Sequence, residues 1–182
     1  MKFISTDIRD LLILEPTVFG DERGYFLETY RREYFEDQGI DVEFIQDNTS
    51  LSQKGTIRGL HYQKRKHAQA KLMRVSRGAI LDIAVDIRQE SDTFGRHVAV
   101  ELSEENHRQL YIPEGFAHGF AVLTTEAVIH YKCNRYYYPE AEHGIRWDDP
   151  DLKIDWRVSD PIVSDKDLNQ PYFCDLNSGD LF

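Results

Sequence analysis

The sequence predicts an all-β protein whose strands form a sandwich or a barrel. Short segments rich in β-branched and aromatic residues recur along the chain, and Gly, Pro, Asn or Asp residues separate them. Many short strands with few helices are typical of these two architectures. The 182 residues, of which 41% are hydrophobic, can bury one sizeable core. A single domain spanning residues 1–182 is therefore expected.

The predicted strands follow one another from residue 11 to residue 133. They comprise residues 11–14, 25–30, 43–48, 56–62, 71–75, 80–87, 97–102, 109–112, 119–123 and 128–133. Within the segment 80–87, apolar side chains at every second position share one face, whereas Asp82 and Asp86 point to the other. This period of two is the signal that identifies a strand.

Helices are expected mainly near the end of the chain. Before the C-terminal third, only residues 31–38 show a convincing helical pattern, and Gly39 supplies the stop signal. After Trp147 the sequence becomes rich in Asp and Pro. We expect this part to form a loop and short helices that wrap the β-domain.

Composition excludes several classes of function. The formal net charge of −10 argues against general nucleic-acid binding, which requires a basic face. It does not exclude an anionic small molecule, because a few cations can be concentrated in one cleft. The apolar run 11–14 has the length of a strand, so neither a signal peptide nor a membrane span is expected. Cys133 and Cys174 form neither a ligand spacing nor a disulfide framework, which predicts a cytoplasmic protein.

Two stretches resemble the metal-binding motifs of cupin barrels in which most of the metal ligands have been replaced. In a metal-binding cupin, His, His and Glu would stand at the positions of His61, Gln63 and Lys71. The second stretch, residues 113–118, keeps the Pro, the Gly and the His (His118) of its motif. An ammonium beside a divalent cation is unfavourable, and three or four good ligands are the usual minimum. The sequence therefore predicts a pocket without a metal or another cofactor, in which a His and a Lys transfer protons beside a developing oxyanion.

The direction of the side chains around His61 gives a further expectation. Counting by twos groups His61 with Gly59 and Gln63 and places Arg58 on the opposite face. If Arg58 and His61 serve one pocket, Gly59 should mark a β-bulge or a strong twist.

Each candidate residue also has a structural interpretation. His61 and His118 could be hydrogen-bonded wall and loop residues, and Lys71 could protect an edge strand. Tyr131 could be a core aromatic, and the tyrosines 136–138 could pack or could stack on a base. Arg23, Arg58, Lys71 and Lys166 could bind a diphosphate, or they could pair with surface carboxylates. From these residues alone, both interpretations remain open.

Taken together, six motifs resemble the dTDP-4-dehydrorhamnose 3,5-epimerase family. They are Phe-Gly-Asp-Glu-Arg-Gly-Tyr-Phe at 19–26, Gln-Asp-Asn at 46–48, Arg-Gly-Leu-His-Tyr-Gln at 58–63, Ile-Pro-Glu-Gly-Phe-Ala-His-Gly-Phe at 112–120, Gly-Ile-Arg-Trp-Asp-Asp-Pro at 144–150 and Ser-Asp-Lys-Asp at 164–167. The resemblance covers roughly residues 8–168. It implies a cupin-type jelly-roll barrel with short peripheral helices, mainly in the C-terminal third. It also implies a metal-free mechanism and a homodimer in which N-terminal strands cross to the partner.

The resemblance further implies a role for individual residues. His61 matches the general base, Asp167 its carboxylate partner, Tyr131 the acid that reprotonates the sugar, and Lys71 the cation beside the keto oxygen. The positions that match contacts to the nucleotide sugar are Phe19, Arg23, Phe26, Glu28, Gln46, Asp47, Asn48, Arg58, His118, Glu142 and Lys166. The implied substrate is a dTDP-4-keto-6-deoxyhexose, and the last dozen or so residues carry no functional prediction.

The chemistry of these residue types agrees with the implied reaction. A C–H bond next to a ketone is acidic because the carbanion is an enolate, which Lys71 can stabilise in a dry pocket. Inversion requires a proton from the opposite face and therefore a second group, for which Tyr131 is the natural candidate. The resemblance implies epimerisation at C3 and C5. The alternatives are a single-carbon epimerase or ketoisomerase, a sugar-nucleotide sensor, and a metal-dependent oxygenase.

Overall fold

Strands account for most of the ordered elements in the computed structural model, which describes residues 1–182 except for the side chain of Arg65. The strands are β1 (Lys2–Ser5), β2 (Leu12–Glu15), β3 (Val18–Asp21), β4 (Gly24–Leu27), β5 (Gln46–Gln53), β6 (Thr56–Gln63), β7 (Lys71–Arg77), β8 (Ala79–Asp86), β9 (His97–Ser103), β10 (Gln109–Ile112), β11 (Phe116–Val122), β12 (Glu126–Cys133), β13 (Glu142–Gly144) and β14 (Ile162–Val163). The helices are α1 (Arg32–Glu36) and α2 (Asp165–Leu168), with 3₁₀ turns at Arg65–His67, Pro139–Ala141, Phe173–Asp175 and Ser178–Asp180.

Two sheets form the barrel predicted from the sequence. The first sheet has the strand order β1-β2-β10-β7-β12-β5. The second has the order β13-β6-β11-β8-β9, and β14 pairs in parallel with β6. The hairpin of β3 and β4 forms a separate two-stranded sheet. This architecture agrees with the jelly-roll expectation.

The hydrophobic core consists of three clusters. One lies inside the barrel, and one lies on the outer face of each sheet. Met73 and Ile129 of the first sheet pack against Ile80 and Ala84 of the second, inside the barrel. The outer face of the second sheet is covered by the C-terminal part of the chain through a cluster that includes Trp156. The outer face of the first sheet packs against α1 in a third cluster. Both faces of the strands at the barrel centre are therefore buried.

The predicted alternation in residues 80–87 is confirmed. Leu81, Ile83, Val85 and Ile87 all belong to the cluster on the outer face of the second sheet. Asp82 lies on the opposite face of β8 and is fully buried. A carboxylate is thereby directed into the barrel by the period of the strand.

Each predicted strand overlaps an observed strand, but some boundaries and short elements were wrong. Residues 43–45, predicted as strand, precede β5, and β5 continues to Gln53. The short strands β1, β3, β13 and β14 were missed. The predicted helix 31–38 is the shorter α1, and Gly39 follows it with φ of +74°. The helices are not clearly concentrated in the C-terminal third, since α1 and the 3₁₀ turn Arg65–His67 lie well before it.

Gly59 marks the bulge that the sequence predicted. In the pairing of β6 with β11, Arg58 lies opposite Phe120 and His61 lies opposite His118, so β6 contains one extra residue. Gly59 has φ of +124°, and a Cβ atom there would lie 2.5 Å from the Cα of Gly119. The extra residue turns Arg58 and His61 towards the same cavity.

The helices and the two cysteines bear on the expectations drawn from composition. None of the helices among the described residues is long and apolar enough to cross a membrane. Both cysteines are free thiols; Cys133 is buried and Cys174 is exposed.

We predict that Gly59→Ala destabilises the protein more than Gly24→Ala does. Both glycines have nearly the same positive φ, but the space around Gly24 is open whereas Gly59 touches the backbone of β11. The difference should be about 1–3 kcal/mol in the free energy of unfolding, the usual cost of forcing extra atoms into a packed site. Denaturant titration of the two variants measures it. Equal losses would mean that backbone conformation, and not the close contact, requires glycine at position 59.

Candidate functional site

A cavity of about 570 Å³ opens between the two sheets of the barrel. Arg58 and His61 from β6 and His118 from β11 line it from the second sheet, while Lys71 from β7 and Tyr131 from β12 line it from the first. A neighbouring cavity of about 330 Å³ shares His61, Lys71 and Tyr131 and extends to Gln46, Asn48, Gln63, Tyr137 and Glu142. The second sheet thus contributes a guanidinium and two imidazoles to the first cavity. The first sheet contributes the amine of Lys71 and the phenol of Tyr131.

His61 and Asp167 form a dyad at the wall of this cavity. The Nε2 atom of His61 lies 2.5 Å from Oδ1 of Asp167, and the backbone N–H of Gly59 donates to the other carboxylate oxygen. Burial alone would raise the pKa of Asp167, but the hydrogen bond and charge of His61 outweigh it and the pKa is lowered. Because an ionised carboxylate only accepts hydrogen bonds, Nε2 carries the proton and Nδ1 is free to act as a base.

The dyad is held in place by the start of α2. Ser164 caps this helix, and its Oγ atom accepts a hydrogen bond from the backbone N–H of Asp167. Asp167 is 3% exposed. The local sequence Ser-Asp-Lys-Asp therefore fixes the carboxylate by an ordinary helix cap.

Lys71 lies in the first sheet and reaches both cavities. Burial lowers the pKa of its ammonium, while the charges of Asp82 and Glu142 act in the opposite direction. A cation in such a low-dielectric site interacts strongly with any anion that forms beside it.

His118 and Asp82 form a second pair deeper in the barrel. Nε2 of His118 lies 2.7 Å from Oδ1 of Asp82, and both residues are buried. Burial lowers the pKa of His118, although the charge and hydrogen bond of Asp82 act against this. Sequence reasoning missed Asp82 as part of the site; its place on the inward face of a strand was the available signal.

Tyr131 lies on the sheet opposite His61. Its neighbours in the first sheet are Asn48 on β5 and Met73 on β7. Burial raises the pKa of the phenol, Cys133 adds to the increase and Arg58 opposes it. The side chain therefore keeps its proton at neutral pH and can donate it into the cavity.

Several of the predicted contact residues line one of the two cavities. Glu142 accepts hydrogen bonds from Lys166 Nζ and Tyr137 Oη, each at 2.5 Å. Gln46 donates to Asn48 at 3.0 Å. Arg58 donates to Ser52 at 3.1 Å, and its side chain remains directed to the first cavity. Tyr137 belongs to this group, although the sequence indicates only that the tyrosines 136–138 pack or stack on a base.

Other predicted contact residues lie elsewhere within this chain. Asp47 points away from His61 and forms an exposed ion pair with Lys132 at 2.8 Å. Arg23 is paired with Asp21 at 2.5 Å on the β3–β4 hairpin, and Glu28 is paired with Arg31 at 2.8 Å. Phe19 and Phe26 are 62% and 68% exposed on that hairpin. The residues Phe19, Arg23 and Phe26 line a separate shallow cavity.

Comparison with known proteins gives a consistent result. The family model described as dTDP-4-dehydrorhamnose 3,5-epimerase matches residues 5–175. The dTDP-4-dehydrorhamnose 3,5-epimerase of Shigella flexneri is 54% identical over 178 residues, covering 97% of this chain and 98% of the relative. The structure of a dTDP-6-deoxy-D-glucose-3,5-epimerase from Legionella pneumophila in complex with dTDP-4-keto-L-rhamnose is 47% identical, with a TM-score of 0.96 and coverages of 99% and 96%.

The structure of an enzyme with a different activity is also similar. The 3'-monoepimerase from Streptomyces bikiniensis, in complex with dTDP-quinovose, is 36% identical with a TM-score of 0.87, covering 92% of this chain and 85% of its own. The family model spans nearly the whole chain, and the relatives with the higher identities are 3,5-epimerases. The chain therefore belongs to the dTDP-4-dehydrorhamnose 3,5-epimerase family.

Proposed function

We propose that this protein converts dTDP-4-dehydro-6-deoxy-D-glucose to dTDP-4-dehydro-L-rhamnose by inverting C3 and C5, without a metal or another cofactor. The observation that carries this proposal is the placement of the His61–Asp167 dyad and of Tyr131 on opposite sheets of one cavity, with Lys71 reaching into it. Inversion of a carbon requires proton removal on one face and proton delivery on the other. The two walls of the barrel can provide these two functions.

In the first step, His61 removes a proton from a carbon next to the C4 ketone. Asp167 holds the imidazole by its Nε2–H and stabilises the imidazolium that forms. The electron pair of the broken C–H bond moves into an enolate, whose negative oxygen is stabilised by the Lys71 ammonium. No electron leaves the substrate, so no redox partner is needed.

In the second step, Tyr131 delivers its phenolic proton to the opposite face of the same carbon. The enolate collapses to the ketone as the new C–H bond forms. Tyr131 then regains a proton from solvent, and His61 releases the proton that it had taken. Because both C3 and C5 adjoin C4, the same chemistry can act at both carbons.

We further propose that the working unit is a homodimer in which the hairpin of one chain completes the nucleotide site of its partner. Phe19 and Phe26 form a cross-strand pair on this hairpin and are largely exposed, and Arg23 adds a cation. A base can stack on aromatic rings, and a diphosphate binds to guanidinium groups. Within one chain these groups do not line the His61 cavity, so a second chain is the natural source.

A single-carbon epimerase is the second candidate. It needs the same base, acid and ammonium, and the similarity to a 3'-monoepimerase is a specific reason to consider it. We place the reaction in the cytoplasm, where the two free thiols of Cys133 and Cys174 would remain reduced.

We predict that prolonged chelation leaves turnover unchanged. The reason is the chemistry at two positions where a metal-binding cupin has ligands: Lys71 stands in place of a carboxylate, and the amide of Gln63 is hydrogen-bonded to the protein backbone. Activity is compared before and after dialysis against chelator. A loss that added zinc, iron or manganese restores would contradict the metal-free mechanism.

We predict that His61→Asn and Tyr131→Phe fail in different ways. His61→Asn removes the base, so deuterium exchange and product formation should both fall, by about 10²–10⁴-fold. Tyr131→Phe keeps the ring and the base, so exchange should outlast inversion, particularly at C5. NMR of sugars recovered from deuterated water measures both. If Tyr131→Phe loses exchange and inversion in parallel, or keeps full inversion at both carbons, Tyr131 is not the acid. It is then a core aromatic that only packs.

We predict that activity returns when Arg23→Ala protein is mixed with His61→Ala protein. Hybrid dimers would contain one site with both residues intact and one site that lacks both. Each variant alone is the control, and exchange of subunits is checked with differently tagged chains. If subunits exchange and activity stays absent, Arg23 and His61 act within one chain.

A further inference from the structure

Gln63 at the end of β6 is buried, and its amide is fully engaged with backbone groups. The side chain is 3% exposed. Its Nε2 donates to the carbonyl of His67 at 2.9 Å and to that of Tyr136 at 3.1 Å, and its Oε1 accepts from the N–H of Tyr138 at 2.5 Å. One side chain thus joins the turn at residues 64–67 to the segment 134–138, named here the tyrosine loop.

The tyrosine loop carries Tyr137 to the mouth of the second cavity. The backbone N–H of Tyr137 donates to Gln46 Oε1 at 3.2 Å, and its hydroxyl donates to Glu142. Glu142 in turn accepts from Lys166. A change in the path of this loop therefore changes the positions of Gln46, Glu142 and Lys166 together.

The hydrogen-bond pattern at Gln63 requires a neutral amide. Two carbonyl oxygens need donors and one N–H needs an acceptor at the same point, and an amide supplies both kinds of group. An ionised carboxylate of the same shape would face the carbonyls of His67 and Tyr136 without a proton to donate. A side chain without polar atoms would leave all three backbone groups unpaired in a buried place.

We propose that Gln63 is a positioning residue for nucleotide-sugar binding, acting through the tyrosine loop on the Glu142–Lys166 pair. This inference rests on the proposed function, since it assigns that pair to the binding of the nucleotide sugar. The dyad is held by other contacts, from Gly59 and Ser164 to Asp167. Gln63 therefore affects the affinity for substrate and leaves the proton transfers of His61 and Tyr131 in place.

The first test compares Gln63→Ala with Gln89→Ala. The amide of Gln89 also donates to a backbone carbonyl, that of Ser178 at 3.0 Å, but at the surface. Gln63→Ala should raise KM by about 10–100-fold, the effect of displacing binding groups by roughly 1 Å. It should change kcat by less than about 3-fold, as expected when uniform binding is lost. Gln89→Ala should change neither. A fall in kcat at constant KM, or unchanged values of both, would overturn the proposal.

A second variant keeps the test valid if Gln63→Ala folds poorly. In Gln63→Glu the buried carboxyl has a raised pKa, so acidification restores a proton that can be donated. Calorimetric affinity for dTDP, expressed relative to the unaltered protein at the same pH, should improve as the pH falls from about 7.5 to about 5.5. A ratio that stays constant with pH would count against the hydrogen-bonding role.

A double-mutant cycle tests the route through the loop. Tyr137→Phe removes only the hydrogen bond to Glu142, so combining it with Gln63→Ala should weaken dTDP binding by less than the product of the two separate effects. A full product would mean that Gln63 acts by another route. If the unaltered protein binds dTDP but converts no 4-keto sugar, the proposed reaction fails, and the dTDP comparison still decides the role of Gln63.

Discussion

The close contact between β6 and β11 at Gly59 is the constraint on which the site depends. The bulge there turns Arg58 and His61 to the same side, although strict alternation would separate them. The same residue donates its N–H to Asp167 and so helps to fix the carboxylate of the dyad. A larger residue would meet the backbone of β11 at Gly119. The geometry of the His61–Asp167 dyad and the path of the backbone are therefore set at one position.

Two cations that line the cavity, Lys71 and Arg58, form no ion pair with the described carboxylates. Three carboxylates, those of Asp167, Asp82 and Glu142, have close partners in His61, His118 and Lys166. Asp82 and Glu142 act on Lys71 only through space. Burial makes its ammonium costly in the free protein, and an enolate oxygen would offset that cost. In the proposed reaction, the Lys71 ammonium would interact more strongly with the charged intermediate than with the neutral ketone.

The sequence predicted the strands because their apolar alternation is local, and it predicted a bulge at Gly59 on the condition that Arg58 and His61 serve one pocket. Strands β13 and β14 could not be predicted in this way. They have three and two residues, which are too few to show an apolar alternation. Asp47 and Asn48 were predicted together from one motif, yet adjacent strand residues point to opposite faces and only Asn48 reaches the cavity. The bonds of Gln63 depend on a loop more than seventy residues away along the chain, which no local pattern reveals.

The β3–β4 hairpin gives the strongest physical reason to consider two chains as one site. An isolated two-stranded hairpin is marginally stable in water, and exposed apolar surface of this kind is typical of an interface. On one face of the hairpin, the ring of Tyr25 lies 4.8 Å from that of His107 and is still 61% exposed. The other face presents the cross-strand pair Phe19 and Phe26 to solvent. If these rings stack on a nucleobase held by a neighbouring barrel, their exposure in the single chain serves binding, and burial of the apolar surface stabilises both the hairpin and the complex.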